Sequence, residues 1–235
     1  MSSDSTDYRI TFPQVLRRLD YARNIHHVDC RSITVDGRES LTRYFREMYL
    51  GVGYERYVHS SENRSEPNCL TRGNFTNAVN VRARGWSYAG VEHLINSPWS
   101  QLERIPPDAD LFETEAYDAE AVEMLTALCL KAKGIQVANA CKLFYQKRPR
   151  LIPILDSHVR QVMNVYWIGD KAPDDYRAVF RLGFQRFREL VTFGDNMNSL
   201  NRIREWLASE PPETLGLPLS SVRIIDILAW SVLIG

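Results

Sequence analysis

Helical spacing of apolar residues dominates the chain. Apolar positions that recur every three or four residues predict helices over 87–96, 118–131, 135–145, 177–193 and 199–207. Two more helices are expected to start near Asp156 and Ser220. Alternation with a period of two is scarce, and no segment repeats another. The sequence therefore predicts an all-α fold.

The first helix is expected to begin at Thr11. Gln14 follows three residues later, which is the spacing of a capping box, and Pro13 falls in the first turn, where a missing N–H does no harm. Helical spacing then continues through Val15, Leu16, Leu19 and Ala22.

A second helix is predicted over 39–50, where one face carries Leu41, Tyr44, Phe45 and Met48. Gly51 and Gly53 are expected to end it. The polar stretch 54–74 contains Pro67 and Gly73 and predicts a long loop.

Composition excludes several classes of protein. The 235 residues have a formal net charge of zero and an ordinary apolar content of 44%. The four cysteines are far apart and form no C-x-x-C pair, which argues against a zinc ribbon. The polar segment 1–8 lacks the apolar core of a signal peptide, and 224–235 is too short to span a bilayer. We expect a cytoplasmic protein with reduced thiols and no membrane association.

Charge is unevenly distributed in this neutral chain. Segment 131–160 has a net charge of +6, so the remainder carries −6. Its only acid is Asp156, and its seven basic residues are Lys131, Lys133, Lys142, Lys147, Arg148, Arg150 and Arg160. A concentrated positive surface would attract a polyanion, whereas a solvated helix face would account for the same residues without a ligand.

Glycine at position 134 marks a tight turn between two predicted helices. Such a hairpin presents free backbone N–H groups at the start of its second helix, where the helix dipole also favours an anion. Lys131 and Lys133 flank the turn. The arrangement is suited to binding a phosphate group without sequence preference.

The segments KGIQVANACK (133–142) and PILDSHV (153–159) resemble the helix-hairpin-helix DNA glycosylases, the superfamily of endonuclease III and the adenine glycosylases. In that family a hairpin precedes the catalytic aspartate by a nearly fixed interval, and Gly134 and Asp156 are 22 positions apart. Ala140 stands where the family has a small residue for close helix packing. The resemblance covers about 30 of the 235 residues. It implies a two-lobed helical fold and makes Asp156 the catalytic residue.

Two departures from the family pattern change what the resemblance implies. Gln136 replaces the second hairpin glycine, which affects the turn and any monovalent cation bound there. Ala138, which the resemblance implies would line the base pocket, stands where bifunctional members have their Schiff-base lysine. The implied enzyme is therefore monofunctional and leaves an abasic site. Lys142, one helical turn further on, is expected to contact phosphate. The cysteine pattern of an iron–sulfur cluster is missing, so no metal or other cofactor is implied.

The resemblance also implies an organisation for the chain and a set of contacts. We expect one domain and a monomer, with the hairpin and catalytic segment at 118–165 and the terminal helices packed together as a second lobe. The partner would be double-stranded DNA. Contacts to it are expected from Lys131, Lys133, Gly134, Gln136, Lys142, Lys147, Arg148, Arg150, His158 and Arg160.

Asp156 has two interpretations that do not exclude each other. Aspartate is among the best helix N-caps, and Ser157 would begin a helix. Alternatively, its carboxylate could stabilise the positive charge that develops on deoxyribose as a base departs, or take a proton from the attacking water. The target base must first leave the stack. The loop 54–74 and residues 86–88 are candidates for the side chain that fills the gap.

Three functions remain open from the sequence. The first is a monofunctional DNA glycosylase acting in repair or, as antiviral defence, on modified phage bases such as glucosylated hydroxymethylcytosine. The second is a non-catalytic helix-hairpin-helix protein that only binds DNA. The third is an RNA-acting toxin or nuclease, which the same basic segment would serve.

Overall fold

The computed structural model describes residues 7–18, 28–47, 49–83, 85–132, 135–165, 176–209 and 218–234. Within these ranges the chain forms twelve α-helices and one two-stranded antiparallel sheet. The expectation of a mostly helical protein is confirmed. The sheet is an addition to it.

The prediction of a helix that begins at Thr11 is wrong. Strands β1 (Arg9–Arg18) and β2 (Val28–Asp36) pair in an antiparallel hairpin. Ile10 and Phe12 are buried whereas Arg9 is exposed, so alternation with a period of two decides the structure here. Pro13 falls at an irregularity in the strand register, where a missing N–H is tolerated.

Two further expectations for the N-terminal half are wrong. Gly51 and Gly53 lie inside a helix instead of ending one, and 54–74 is largely helical. The first six helices are α1 (Gly37–Glu47), α2 (Tyr49–Val58), α3 (Ser61–Ser65), α4 (Arg72–Val79), α5 (Tyr88–Ile95) and α6 (Ser100–Arg104).

Buried amides explain why 54–74 has the composition of a loop without being one. Asn63, Asn74 and Asn77 are buried, and each bonds to the backbone or side chain of Gln146. The Gln146 side chain in turn donates to the backbone carbonyl of Asn74 at 3.0 Å. These polar residues are therefore part of the interior, where hydrogen bonds offset the cost of burying them.

The predictions for the C-terminal half are confirmed. The remaining helices are α7 (Asp118–Lys131), α8 (Val137–Tyr145), α9 (Ser157–Val162), α10 (Tyr176–Thr192), α11 (Asn196–Ser209) and α12 (Ser221–Ile234). Helix α7 packs against α8 and α10, and α12 packs against α1 and α9. Helices α1, α9 and α12 consequently meet in one region. None of the described helices is both long enough and apolar enough to cross a membrane.

Candidate active site

Asp156 is the N-cap of α9. Its Oδ1 accepts hydrogen bonds from the backbone N–H groups of His158 and Val159, both at 2.9 Å. Its Oδ2 accepts none from any residue that the structure describes. One carboxylate oxygen therefore caps the helix while the other is available to a ligand.

The segment before Asp156 is held firmly in place. Leu151, Ile152, Ile154 and Leu155 are all buried. Leu155 packs so closely on α10 that a Cβ added at Gly183 would lie 2.3 Å from its Cδ1 atom. This anchoring fixes where the catalytic candidate lies relative to the rest of the core.

A pocket of about 350 Å³ lies beside Asp156. Its volume is within the usual range for sites that bind small molecules. Six residues that the sequence singled out line it together: Gln136, Ala138, Lys142, Asp156, His158 and Arg160. The structure thus brings side chains from the hairpin helix α8 together with side chains from the start of α9.

The pocket also contains residues that the sequence analysis missed. Arg223 and Asp226 come from α12, and Tyr44 comes from α1. Arg223 donates from Nε to Glu55 Oε1 at 2.7 Å, from Nη2 to the Tyr44 hydroxyl at 2.7 Å, and from Nη1 to Asp226 Oδ2. Tyr145 also donates to Glu55, at 3.0 Å. A buried ion cluster therefore lies behind the pocket wall.

Burial changes the acid–base behaviour of several groups here. It raises the pKa of Asp226 to about 7, although the neighbouring Arg223 acts in the opposite direction. Burial also lowers the pKa of the Lys142 ammonium, which the charges of Asp156 and Asp226 oppose. The pKa of Tyr44 is raised to about 12, again mainly by burial. Perturbed groups of this kind cluster at functional sites more often than elsewhere.

Aromatic rings form another part of the wall. Trp230 is half-buried, and its ring meets those of Tyr44 and His158 edge to face, each with a centroid distance of 6.3 Å. All three residues line the pocket. The wall therefore offers flat apolar surface beside a carboxylate, which is suited to an aromatic ligand.

A family model described as a family of unknown function, DUF6308, matches residues 38–232. The chain belongs to this family. No curated protein and no solved structure matches the chain. The matched range includes every residue named above as lining the pocket.

Two of the DNA contacts expected in this DUF6308 protein are wrong. Lys147 is 4% exposed and donates to the backbone carbonyls of Asn63 and Glu66. Arg148 is fully buried, and its guanidinium donates to backbone carbonyls that include those of Ile105 and Leu102. Both cations serve to satisfy backbone carbonyls in the interior and are not presented to a phosphate group.

Other expected contacts lie outside the pocket. Arg150 is paired with Asp110 and Glu113, so its charge is largely balanced. Lys131 is exposed, and its ammonium lies 5.0 Å from the centre of the Trp99 ring. Lys133 and Gly134 lie outside the described residues, and so does the proposed cation site at the turn. The positive surface expected along 131–160 is thus smaller than the sequence predicts, because Lys147 and Arg148 are buried and Arg150 is paired with acids.

Neither candidate for filling a gap in the DNA lines the pocket. Trp86 packs edge to face on Phe75, and Tyr88 is 71% exposed beside Arg72. Arg82 does line the pocket, is exposed, and has a positive φ of 61°. Such a conformation is unfavourable for a residue with a Cβ and often marks a functional position.

The described part of the chain contains no cluster of His, Cys, Asp and Glu that could hold a metal ion. Burial raises the pKa of the Cys141 thiol to about 12 and that of Cys129 higher still. These two thiols are therefore core residues rather than nucleophiles.

Proposed function

We propose that this DUF6308 protein is a monofunctional DNA glycosylase with a two-lobed helix-hairpin-helix fold. It hydrolyses the N-glycosidic bond of a flipped, modified base. The observation that carries the proposal is the position of Asp156. One oxygen of its carboxylate is fixed by the N-terminus of α9, and the residue lines a base-sized pocket next to the hairpin helix α8.

In the proposed reaction the target nucleotide leaves the duplex and its base enters the pocket. The rings of Trp230 and Tyr44 give the base an apolar surface to pack against. The sugar then lies next to Asp156. As the bond from C1′ to the base nitrogen breaks, the carboxylate stabilises the positive charge on the sugar and takes a proton from the attacking water.

Basic residues around the pocket would hold the DNA backbone. Arg160 and Arg82 line the pocket, and Gln136 is the exposed N-cap of α8, where free N–H groups favour a phosphate. Lys142 is different because its side chain is largely buried in the pocket wall. Its role is to balance the charges of Asp156 and Asp226 instead of reaching a phosphate on the surface.

The assay for this proposal uses duplex DNA that carries a panel of modified bases, together with phage genomic DNA. Incubation with the protein should produce strand breaks only after alkali, because a monofunctional enzyme leaves an intact abasic site. Asp156→Asn keeps an N-cap oxygen but removes the charge, so it should fold and bind DNA. Its rate of base release should fall by at least about 100-fold.

Borohydride tests the monofunctional part of the proposal separately. With Ala138 at the family's lysine position, no covalent enzyme–DNA adduct should form on reduction. An adduct that disappears in Lys142→Met would show that Lys142 attacks the sugar, and the enzyme would then be bifunctional.

The same assays separate the other functions. A protein that only binds DNA would release no base. In such a protein Asp156→Asn would leave DNA binding unchanged. Strand cleavage without alkali, or cleavage of RNA, would indicate a nuclease.

A further inference from the structure

The pocket contains a second carboxyl group besides that of Asp156. Asp226 projects from α12, is 3% exposed, and lines the same pocket. It comes from a different helix, 70 positions further along the chain, and α12 packs directly against α9. Two carboxyl groups with different environments in one pocket are the arrangement that supports paired acid and base roles.

Burial favours a proton on Asp226. The residue is 3% exposed, and removal of a carboxylate from water disfavours the charged form. The neighbouring cations Arg223 and Lys142 act in the opposite direction. Arg223 compensates Asp226 only in part, because its guanidinium also bonds to Glu55, which is fully buried.

We propose that Asp226 is the proton donor to the departing base. This inference rests on the proposed glycosylase function. As the C1′–N bond breaks, its electron pair moves to the base, and the Asp226 carboxyl transfers its proton to a ring nitrogen or carbonyl oxygen of that base. Water adds to C1′ and gives its own proton to Asp156. The products are a neutral base, an abasic sugar, an ionised Asp226 and a protonated Asp156, and exchange with solvent restores both carboxyl groups.

Charged and titratable groups surround Asp226 from several helices. These groups are Tyr44 from α1, Glu55 from α2, Cys141, Lys142 and Tyr145 from α8, Asp156, His158 and Arg160 from the α9 region, and Arg223 from α12 itself. Burial and the charge of Asp156 raise the pKa of Asp226 to about 7, against the influence of Arg223 and Lys142. The donor is thus protonated below about pH 7 and loses its proton above it.

A purely structural role is the competing explanation. In that case Asp226 would only hold Arg223 and, through it, the Tyr44 hydroxyl. Removing the carboxyl would then lower the rate equally at every pH. A proton donor makes a different prediction, because removing its carboxyl should also abolish the loss of rate as the pH rises.

The experiment measures single-turnover base release between pH 5 and 9 on a substrate identified in the panel above. The wild-type rate should fall above about pH 7. Asp226→Asn should lower the rate at pH 6 by about 100- to 10,000-fold, the usual contribution of general acid catalysis, and abolish that fall. Ser231→Ala is the matched control, since Ser231 is a buried polar residue on the same helix outside the pocket.

Circular dichroism and thermal unfolding establish that the variants are folded. If Asp226→Asn fails to fold, Asp226→Glu replaces it and should move the alkaline fall to a different pH. An Asp226→Asn enzyme that keeps the wild-type rate, or loses rate but keeps the alkaline fall, overturns the inference and leaves the glycosylase proposal intact. If Asp226→Glu loses rate at the same pH as the wild type, the inference is likewise overturned and the glycosylase proposal stays intact. Absence of base release by the wild-type protein overturns both.

Discussion

The two oxygens of Asp156 have different surroundings. Oδ1 receives both backbone N–H groups of the first turn of α9, so the side chain has little freedom to rotate. This restraint also limits the movement of Oδ2, to which no described side chain donates a hydrogen bond. Preorganisation of this kind lowers the cost of stabilising charge in a transition state. A capping residue is therefore a good choice for a catalytic carboxylate.

Asp226 makes a prediction at the same scale that does not depend on catalysis. Because burial raises its pKa to about 7 from an ordinary 3.8, the folded protein binds a proton that the unfolded chain releases. Its contribution to stability is complete below pH 3.8 and is lost as the pH rises to about 7.

The free energy of unfolding should be measured in urea at pH 5 and pH 8 for the wild-type protein and Asp226→Asn. The stability of the wild type relative to the variant should decrease by more than about 1 kcal/mol between the two values. Ser231→Ala, which removes no titrating group, should show a constant difference. A constant difference for Asp226→Asn as well would mean that this carboxyl does not retain its proton.

At the scale of single elements, α2 approaches the pocket residue Tyr44 of α1 closely. A Cβ added at Gly51 would lie 2.3 Å from the Tyr44 hydroxyl oxygen, which accepts a hydrogen bond from Arg223. Gly53, on the same helix, has open space, with its nearest neighbour an Asn80 atom at 3.9 Å. A larger side chain would therefore collide with Tyr44 at Gly51 but would fit at Gly53.

Gly51→Ala should displace Tyr44 and, through it, the Arg223 ion cluster, with a loss of about 1–3 kcal/mol in stability and a lower rate of base release. Gly53→Ala gains helix propensity without a collision and should stabilise the protein by up to about 1 kcal/mol. Urea unfolding of the two variants measures both changes in stability. Equal effects would show that the approach of α2 to Tyr44 does not control the pocket.

The sequence predicts some of these elements better than others, for physical reasons. The strand at Arg9–Arg18 is held partly by Asn196, whose side chain bonds to both the N–H and the carbonyl of Thr11 across 185 positions. Local spacing contains no information about such a partner. By contrast, α7 and α8 have apolar residues at helical spacing, and Gly134 stands between them in the sequence as a stop signal, so their local patterns were enough to predict them.

The sequence likewise predicts some residues of the candidate site and misses others. The hairpin interval led to Asp156 and to five of its neighbours in the pocket, because those residues are close in sequence. Tyr44, which lines the pocket, and Glu55, which lies behind its wall, were missed because only folding brings them to this region. Arg223 and Asp226 did offer a signal: two opposite charges three residues apart in an otherwise apolar helix indicate a buried ion pair.

At the scale of the whole molecule, the proposed DNA binding by a protein with no net charge must rely on local contacts. Three basic residues of the segment 131–160, Lys142, Lys147 and Arg148, are buried, so the surface field is weaker than the sequence suggests. Few phosphate contacts mean a shallow dependence of affinity on salt. Arg82 is the exposed pocket residue whose strained backbone most suggests selection for binding.

Arg82→Gly should weaken DNA binding and reduce the slope of log affinity against log salt by about one. Because glycine tolerates a positive φ, the same change should leave stability unchanged or raise it by up to about 1 kcal/mol. Arg204→Ala, at an exposed arginine outside the pocket, serves as the control. Unaltered affinity in Arg82→Gly would remove Arg82 from the DNA interface.

The most direct measurement for the central claim is mass spectrometry of the products formed from modified DNA in oxygen-18-labelled water. The wild-type protein should release an intact free base and leave an abasic sugar that has gained one labelled oxygen. Asp156→Asn, still folded and still bound to DNA, should give neither product. No free base from any substrate, or equal release by Asp156→Asn, would contradict the account.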